Sequence, residues 1–272
     1  MGAAAETVRP LNAAAAAPAK AAANSPSPAA NGSSGLRILK FFVALALIPA
    51  CIGLSIGVHE AFLGAWTRMN LAAFGPGALL KWFLSGIGAF AVLAILLWRP
   101  VVVYVFGHEL IHALATWMCL GKVSNLSASA RGGQVTTSKS NTFIRLAPYC
   151  VPLYAILAAA LYFALNAWWR PLGAHIQWLA FALGFFYAFH IGFTLWSLRR
   201  DQPDLRPDGW LFSLVVIYLA NLAVFVLLMG FIMSGQPSAA WDSVKDSSQL
   251  GVKHSRQIYR NLGNFAQNLV SR

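Results

Sequence analysis

The sequence predicts an all-α polytopic membrane protein, with about six transmembrane helices and a small β-hairpin between the third and the fourth. Three observations predict it. Hydrophobic residues make up 58% of the 272 positions and charged residues only 10%; the mean hydropathy is +0.61; and the apolar residues gather into stretches of about 20, the length of a helix that crosses a bilayer. Such a chain has too little polar surface to fold in water, and inside a bilayer its backbone hydrogen bonds must be closed within each helix.

Residues 1 to 36 are rich in Ala, Pro, Ser, Asn and Gly, with an alanine run broken by Pro18, Pro26 and Pro28 and no periodic apolar face. That composition reads as a disordered tail. Its start lacks both the Ser or Thr of a myristoylation signal and the apolar core and cleavage site of an ordinary signal peptide. A transmembrane domain over 37–234 follows, with apolar stretches at roughly 38–58, 78–98, 101–120, 143–165, 176–198 and 209–233, each long enough to span. Arg99 and Pro100 alone separate the second stretch from the third, which predicts a tight helical hairpin.

A polar segment separates the third stretch from the fourth. Within it, small or apolar residues at 126, 128 and 130 alternate with serines, and Gly132 with Gly133 supplies a turn, the pattern of two short strands. Pro148 and Pro152 predict a bend in the fourth stretch. The final segment, 235–272, is polar with scattered Lys and Arg, and 250–270 reads as a helix lying on the membrane.

The net charge of +12, from 20 Lys and Arg against 8 Asp and Glu, would direct a soluble protein toward nucleic acid. Here Arg37, Lys40, Lys81, Arg99, Arg145, Arg170, Arg199 and Arg200 stand near the ends of apolar stretches, as do Trp82, Trp98, Trp168, Trp169 and Trp210. Such residues anchor helices at lipid headgroups, so the partner they imply is the bilayer and not nucleic acid. Cys51, Cys119 and Cys150 lie in or beside apolar stretches without CxxC spacing. They read as small buried residues, not as a disulfide framework or a thiolate site.

His108-Glu109-Leu110-Ile111-His112 falls in the middle of the third stretch. Residues four apart share a helix face, so both imidazoles can bind one zinc ion while Glu109 stands beside it to take a proton from water. The chemistry this suits is hydrolysis of an amide bond. Three ionisable residues in five are costly within a membrane helix and point to function more than to packing. His59-Glu60 has no second histidine to match and reads as an interfacial loop pair.

A zinc site needs at least one more protein ligand. His190 lies eight residues from the end of the fifth stretch, as His112 does from the end of the third, placing both at about 12 Å from one face. It reads as a ligand, an outer partner or a proton relay. The sixth stretch is preceded by Gln202-Pro203-Asp204-Leu205-Arg206-Pro207-Asp208-Gly209. This unwound entry could dip inward if buried in protein, and Asp208 or Asp204 could then meet the two histidines. The amides of Asn141 and Asn221 could serve an oxyanion or substrate backbone, although interhelical bonding is the weightier reading for each.

In these residues the chain resembles the site-2 protease family of intramembrane zinc metalloproteases. The resemblance rests on HExxH inside a membrane helix, a polar segment with paired glycines after it, and Asp208-Gly209 opening a later helix after Pro203 and Pro207. It covers about 101–233 and implies zinc held by His108, His112 and Asp208, Glu109 as base, and membrane proteins with a transmembrane helix as substrates. Pro207 stands where the family usually has leucine, and no asparagine precedes the proline, so Asp204 and His190 stay as alternatives to Asp208. A substrate helix must unwind to be cut, and the hairpin at 123–137 could hold the unwound strand by edge pairing. A rival reading is a non-catalytic membrane scaffold or transporter in which the polar cluster binds an ion or stabilises a complex without hydrolysis; the intact Glu109 favours the enzyme.

Overall fold

The computed structural model describes residues 34–68, 78–97, 100–200 and 202–270. Most of the expected N-terminal tail lies outside them, as do Trp98 and Arg99 at the corner of the expected helical hairpin. In chain order come α1 (Ser34–Arg68), α2 (Leu79–Val92, prolonged by a π turn over Leu93–Leu97), α3 (Val101–Met118), strands β1 (Val123–Ser129) and β2 (Gly132–Thr137), α4 (Thr142–Cys150) and α5 (Leu153–Trp168). A 3-10 turn over Arg170–His175 then leads to α6 (Ile176–Leu198), α7 (Trp210–Ser234) and α8 (Pro237–Val270). Helices α1, α2, α3, α6 and α7 are long and apolar enough to cross a membrane, and α4 and α5, bent by 68° at their junction, are so only when taken together, as one broken span or a re-entrant loop. The chain is a multi-pass integral membrane protein, and among the described residues its regular structure is helical apart from one two-stranded antiparallel sheet.

The bend is where Pro152 predicts it. Proline has no N–H to continue the helix and drives the residue before it out of helical geometry, and Val151 accordingly sits at φ −105° and ψ 111°. The hairpin also forms, with Val123 opposite Thr137 and Ser129 opposite Gly132. Its turn is therefore Ala130-Arg131, and the two glycines expected to make the turn stand in β2 instead. At Gly133 the missing side chain lets the strand press on Glu109 of α3.

Lipid is as apolar as leucine, so helices in a membrane associate by close packing, which small residues permit. At the crossing of α2 and α6, a β-carbon on Gly86 would strike the Phe181 carbonyl, and one on Gly184 would strike the Phe83 carbonyl. Helix α2 is thus packed along α6 and not along α3. Leu80, Phe83, Leu179, Ala180 and Leu183 fill the core around this crossing, with Phe231 and Ile232 of α7 closing it. Phe90, Tyr104, Val105, Phe189 and Phe193 tie α2, α3 and α6 together nearer the histidines.

The helix expected over 250–270 begins at Pro237, and from Ser247 to Tyr259 it packs antiparallel to α1. Gly53 and Gly57 of α1 meet Ser255 and Gly251 at van der Waals distance or less for any added β-carbon. Glu60 accepts from, or pairs with, His254 at 2.9 Å. The His59-Glu60 pair therefore lies inside α1 and not in a loop, because α1 runs on to Arg68 as the platform for α8. Lys245, Lys253, Arg256 and Arg260 point outward from α8.

Candidate metal centre

His112 is buried on α3, 8% exposed, with Nδ1 2.8 Å from the Ile144 carbonyl oxygen. That carbonyl is free because the residue four positions on is Pro148, which has no N–H to close the helical bond. With Nδ1–H donating to it, the neutral ring keeps its Nε2 lone pair on the opposite side, the arrangement a metal-binding histidine needs. His108, one turn earlier, has Tyr104 Oη 3.4 Å from its Nδ1, and its ring meets that of Tyr149 edge to face at 5.1 Å.

The carboxylate that completes the cluster is Asp204, from the turn between α6 and α7. Its Oδ2 lies 3.6 Å from His108 Nε2 and 3.5 Å from His112 Nε2, and the three donor atoms all fall within 4.8 Å of one another. These gaps exceed an N–H···O hydrogen bond, about 2.7–3.2 Å. They match the edge of a tetrahedron built on zinc bonds of about 2.0–2.2 Å, roughly 3.4 Å. Both carboxylate–imidazole distances therefore suit a tetrahedral divalent ion. Burial alone would raise the Asp204 carboxyl, but the two imidazoles outweigh it and hold the group below the usual carboxylate range.

Asp208, the ligand position implied by the resemblance, is placed elsewhere. It is 1% exposed, and each of its oxygens is already served twice. Oδ1 accepts from Lys40 of α1 and from Thr142 Oγ1 at 2.8 Å; Oδ2 accepts from Arg145 Nε at 2.9 Å and Nη2 at 2.7 Å. A carboxylate with its acceptor capacity filled by two cations and a hydroxyl has nothing left for a metal. Burial pushes its carboxyl up, and Lys40, Thr142 and Arg145 together pull it below its ordinary value.

What Asp208 does is fasten the turn that carries Asp204. Leu205, fully buried, plugs the same turn into Leu146, Tyr149 and Ile217. Gln202 Nε2 donates to the Ser197 carbonyl at 3.0 Å, and Arg37 Nη2 donates to the Arg206 carbonyl at 2.6 Å.

His190 is buried but stands outside the donor group; its Nε2 is 3.1 Å from Asn221 Oδ1. Asn221 in turn donates to the Tyr149 and Ile217 carbonyls at 2.9 and 2.8 Å, so it makes the interhelical bonds of the blander reading. Asn141 caps α4, accepting from the Ile144 N–H at 2.8 Å. His190 and His108 both line a cavity of about 20 Å³, with Tyr104, Pro148 and Tyr154, room for about one water.

Two groups at the centre carry no local sequence signal. The Pro148–Ile144–His112 relation is visible only once α4 is seen to lie against α3. Tyr149, one of three tyrosines in its apolar stretch, has its hydroxyl 3.1 Å from Asp204 Oδ2. No protein-family model matches the chain, and comparisons with curated proteins and with solved structures give no match.

Proposed function

We propose that the chain is a zinc-dependent intramembrane endopeptidase, a divergent relative of the site-2 proteases, which hydrolyses peptide bonds in or near the transmembrane segments of membrane protein substrates. The observation that carries this reading is the approach of Asp204 Oδ2 to Nε2 of both His108 and His112, with Glu109 between them on an apolar, membrane-length helix. The two-nitrogen, one-oxygen donor set at tetrahedral spacing suits zinc and leaves a position open, as catalytic sites require.

Zinc held there would polarise the scissile carbonyl and acidify a water molecule. The remaining work falls to the chain's own groups. Glu109 takes the proton from the attacking water and hands it to the leaving amine. The Ile144 carbonyl holds the His112 ring in one tautomer and orientation. The turn fastened through Asp208 keeps Asp204 aimed at the histidines. β2 lies against Glu109 through Gly133, so an unwound substrate segment that adds to the hairpin edge is laid alongside the base.

The test is zinc content and cleavage together, on protein purified in mild detergent and assayed with a model transmembrane substrate. Wild type should hold about one zinc per chain, as a three-ligand site does. His112→Ala should lose it, and Glu109→Gln should keep zinc but lose turnover. Folded wild type without zinc overturns the reading. Zinc with cleavage indifferent to Glu109 supports instead an ion-binding scaffold or transporter.

A further inference from the structure

Tyr149 lies on the last turn of α4, one residue before the chain breaks toward Pro152. The tyrosine is fully buried. Its ring closes on His108 edge to face and packs with Leu146, Leu205 and Ile217, while its carbonyl accepts from Asn221 of α7. A buried phenol hydroxyl needs a partner, and this one has two acceptors for its single proton: Asp204 Oδ2 and Gln202 Oε1, each at 3.1 Å. Gln202 presents its oxygen because its nitrogen is committed to the Ser197 carbonyl. Between the two acceptors the carboxylate is the stronger, since a hydrogen bond to an ionised oxygen is shorter and about twice as strong as a neutral one.

The oxygen that Tyr149 touches is the same Oδ2 that faces both histidines. Asp204 has rotatable bonds and stands a quarter exposed at its side chain, so without a donor on that oxygen the carboxylate would sample other rotamers. We propose that Tyr149 is a positioning residue of the metal centre: its hydroxyl donates to Asp204 Oδ2 and holds that oxygen between the two imidazoles. This rests on the metal-binding reading of the cluster and adds to it a residue that touches two of its three donors. Gln202 Oε1 is a second acceptor within reach of the same hydroxyl.

Tyr149→Phe removes the hydroxyl and keeps the ring, which separates positioning from core filling. The experiment uses the full chain in detergent, with zinc affinity measured by competition against a chromophoric chelator and the visible absorption of the cobalt(II)-loaded protein as a reporter of ligand geometry. Loss of an outer-sphere partner costs about 10–100-fold in metal affinity, so Tyr149→Phe should bind zinc that much more weakly and show an altered cobalt spectrum. Equal zinc affinity with an unchanged cobalt spectrum overturns the role and leaves Tyr149 as core. If Tyr149→Phe folds poorly because Gln202 Oε1 is left without a donor, the double variant Tyr149→Phe with Gln202→Met removes both groups, and the same two outcomes apply. Wild type that binds no zinc overturns the metal centre itself, and this role with it, which separates the two failures.

Discussion

Gly133 lies over Glu109 so closely that a β-carbon at position 133 would stand 2.6 Å from the glutamate Cγ and 2.9 Å from its Oε1. The strand and the general base of the proposed reaction share one van der Waals surface, so the smallest added group must move one of them. Gly133→Ala should therefore lower cleavage by about 100-fold, the cost of misplacing a reacting group by about 1 Å, while zinc content stays at the wild-type level. A cleavage assay run beside metal analysis checks this; unchanged turnover would mean that Glu109 moves aside without consequence.

The two aspartates of one turn should fail in different ways. Asp204→Ala removes a donor and should cut zinc affinity by more than the roughly 100-fold that bounds loss of an outer partner, with the fold intact. Asp208→Ala leaves Lys40 and Arg145 without their shared partner, and breaking a buried ion pair from one side costs about 3–5 kcal/mol. Its signature is a lowered thermal midpoint in detergent, with zinc loss only as a consequence. The reverse pattern, a stable Asp208→Ala without zinc, would return Asp208 to the role of ligand.

Acid should expose the Asp208 clamp. Its folded-state carboxyl is held below the ordinary value of about 3.9. A depressed carboxyl contributes stability that is complete above the unfolded-state value and is lost as pH falls through the folded-state one. The stability gap between wild type and Asp208→Asn should hold constant from about pH 7 to about pH 5 and narrow below about pH 4. Thermal unfolding across that range measures it, and a gap that survives acid would show that the charge on Asp208 is not what fastens the turn.

Pro148→Ala restores an N–H opposite the Ile144 carbonyl, which then has a helical partner competing with His112 Nδ1. Helix propensity should improve, since proline is about 3 kcal/mol worse than alanine inside a helix. Metal binding should worsen by about 10-fold through the loosened imidazole. Helical content and zinc affinity that rise together would contradict the link between the proline and the histidine.

The parts of the molecule that were legible are those set by local rules. A span announces itself in its own apolar residues, Pro152 breaks the fourth segment wherever that segment packs, and the two histidines with Glu109 need only a helix to share a face. The third donor is decided elsewhere. Asp204 and Asp208 are one helical turn apart in sequence and alike in composition; which of them faces the histidines depends on Lys40, 168 residues away, and on Arg145, 63 residues away. Tyr149 was hidden for the same reason, as was the footing of α8 on Gly53 and Gly57, whose spacing says that a helix can come close but not which one.

The distance in sequence between the histidines and the turn before α7 also orders events during synthesis. A nascent chain inserted only as far as α5 already has His108, Glu109 and His112 in the bilayer, and Lys40 waiting in α1, but neither aspartate. No three-donor set exists until the loop after α6 is delivered and Lys40 and Arg145 capture Asp208. Translation thus runs ahead of the assembly of the donor set, and a chain stalled or truncated before Asp204 lacks its third donor.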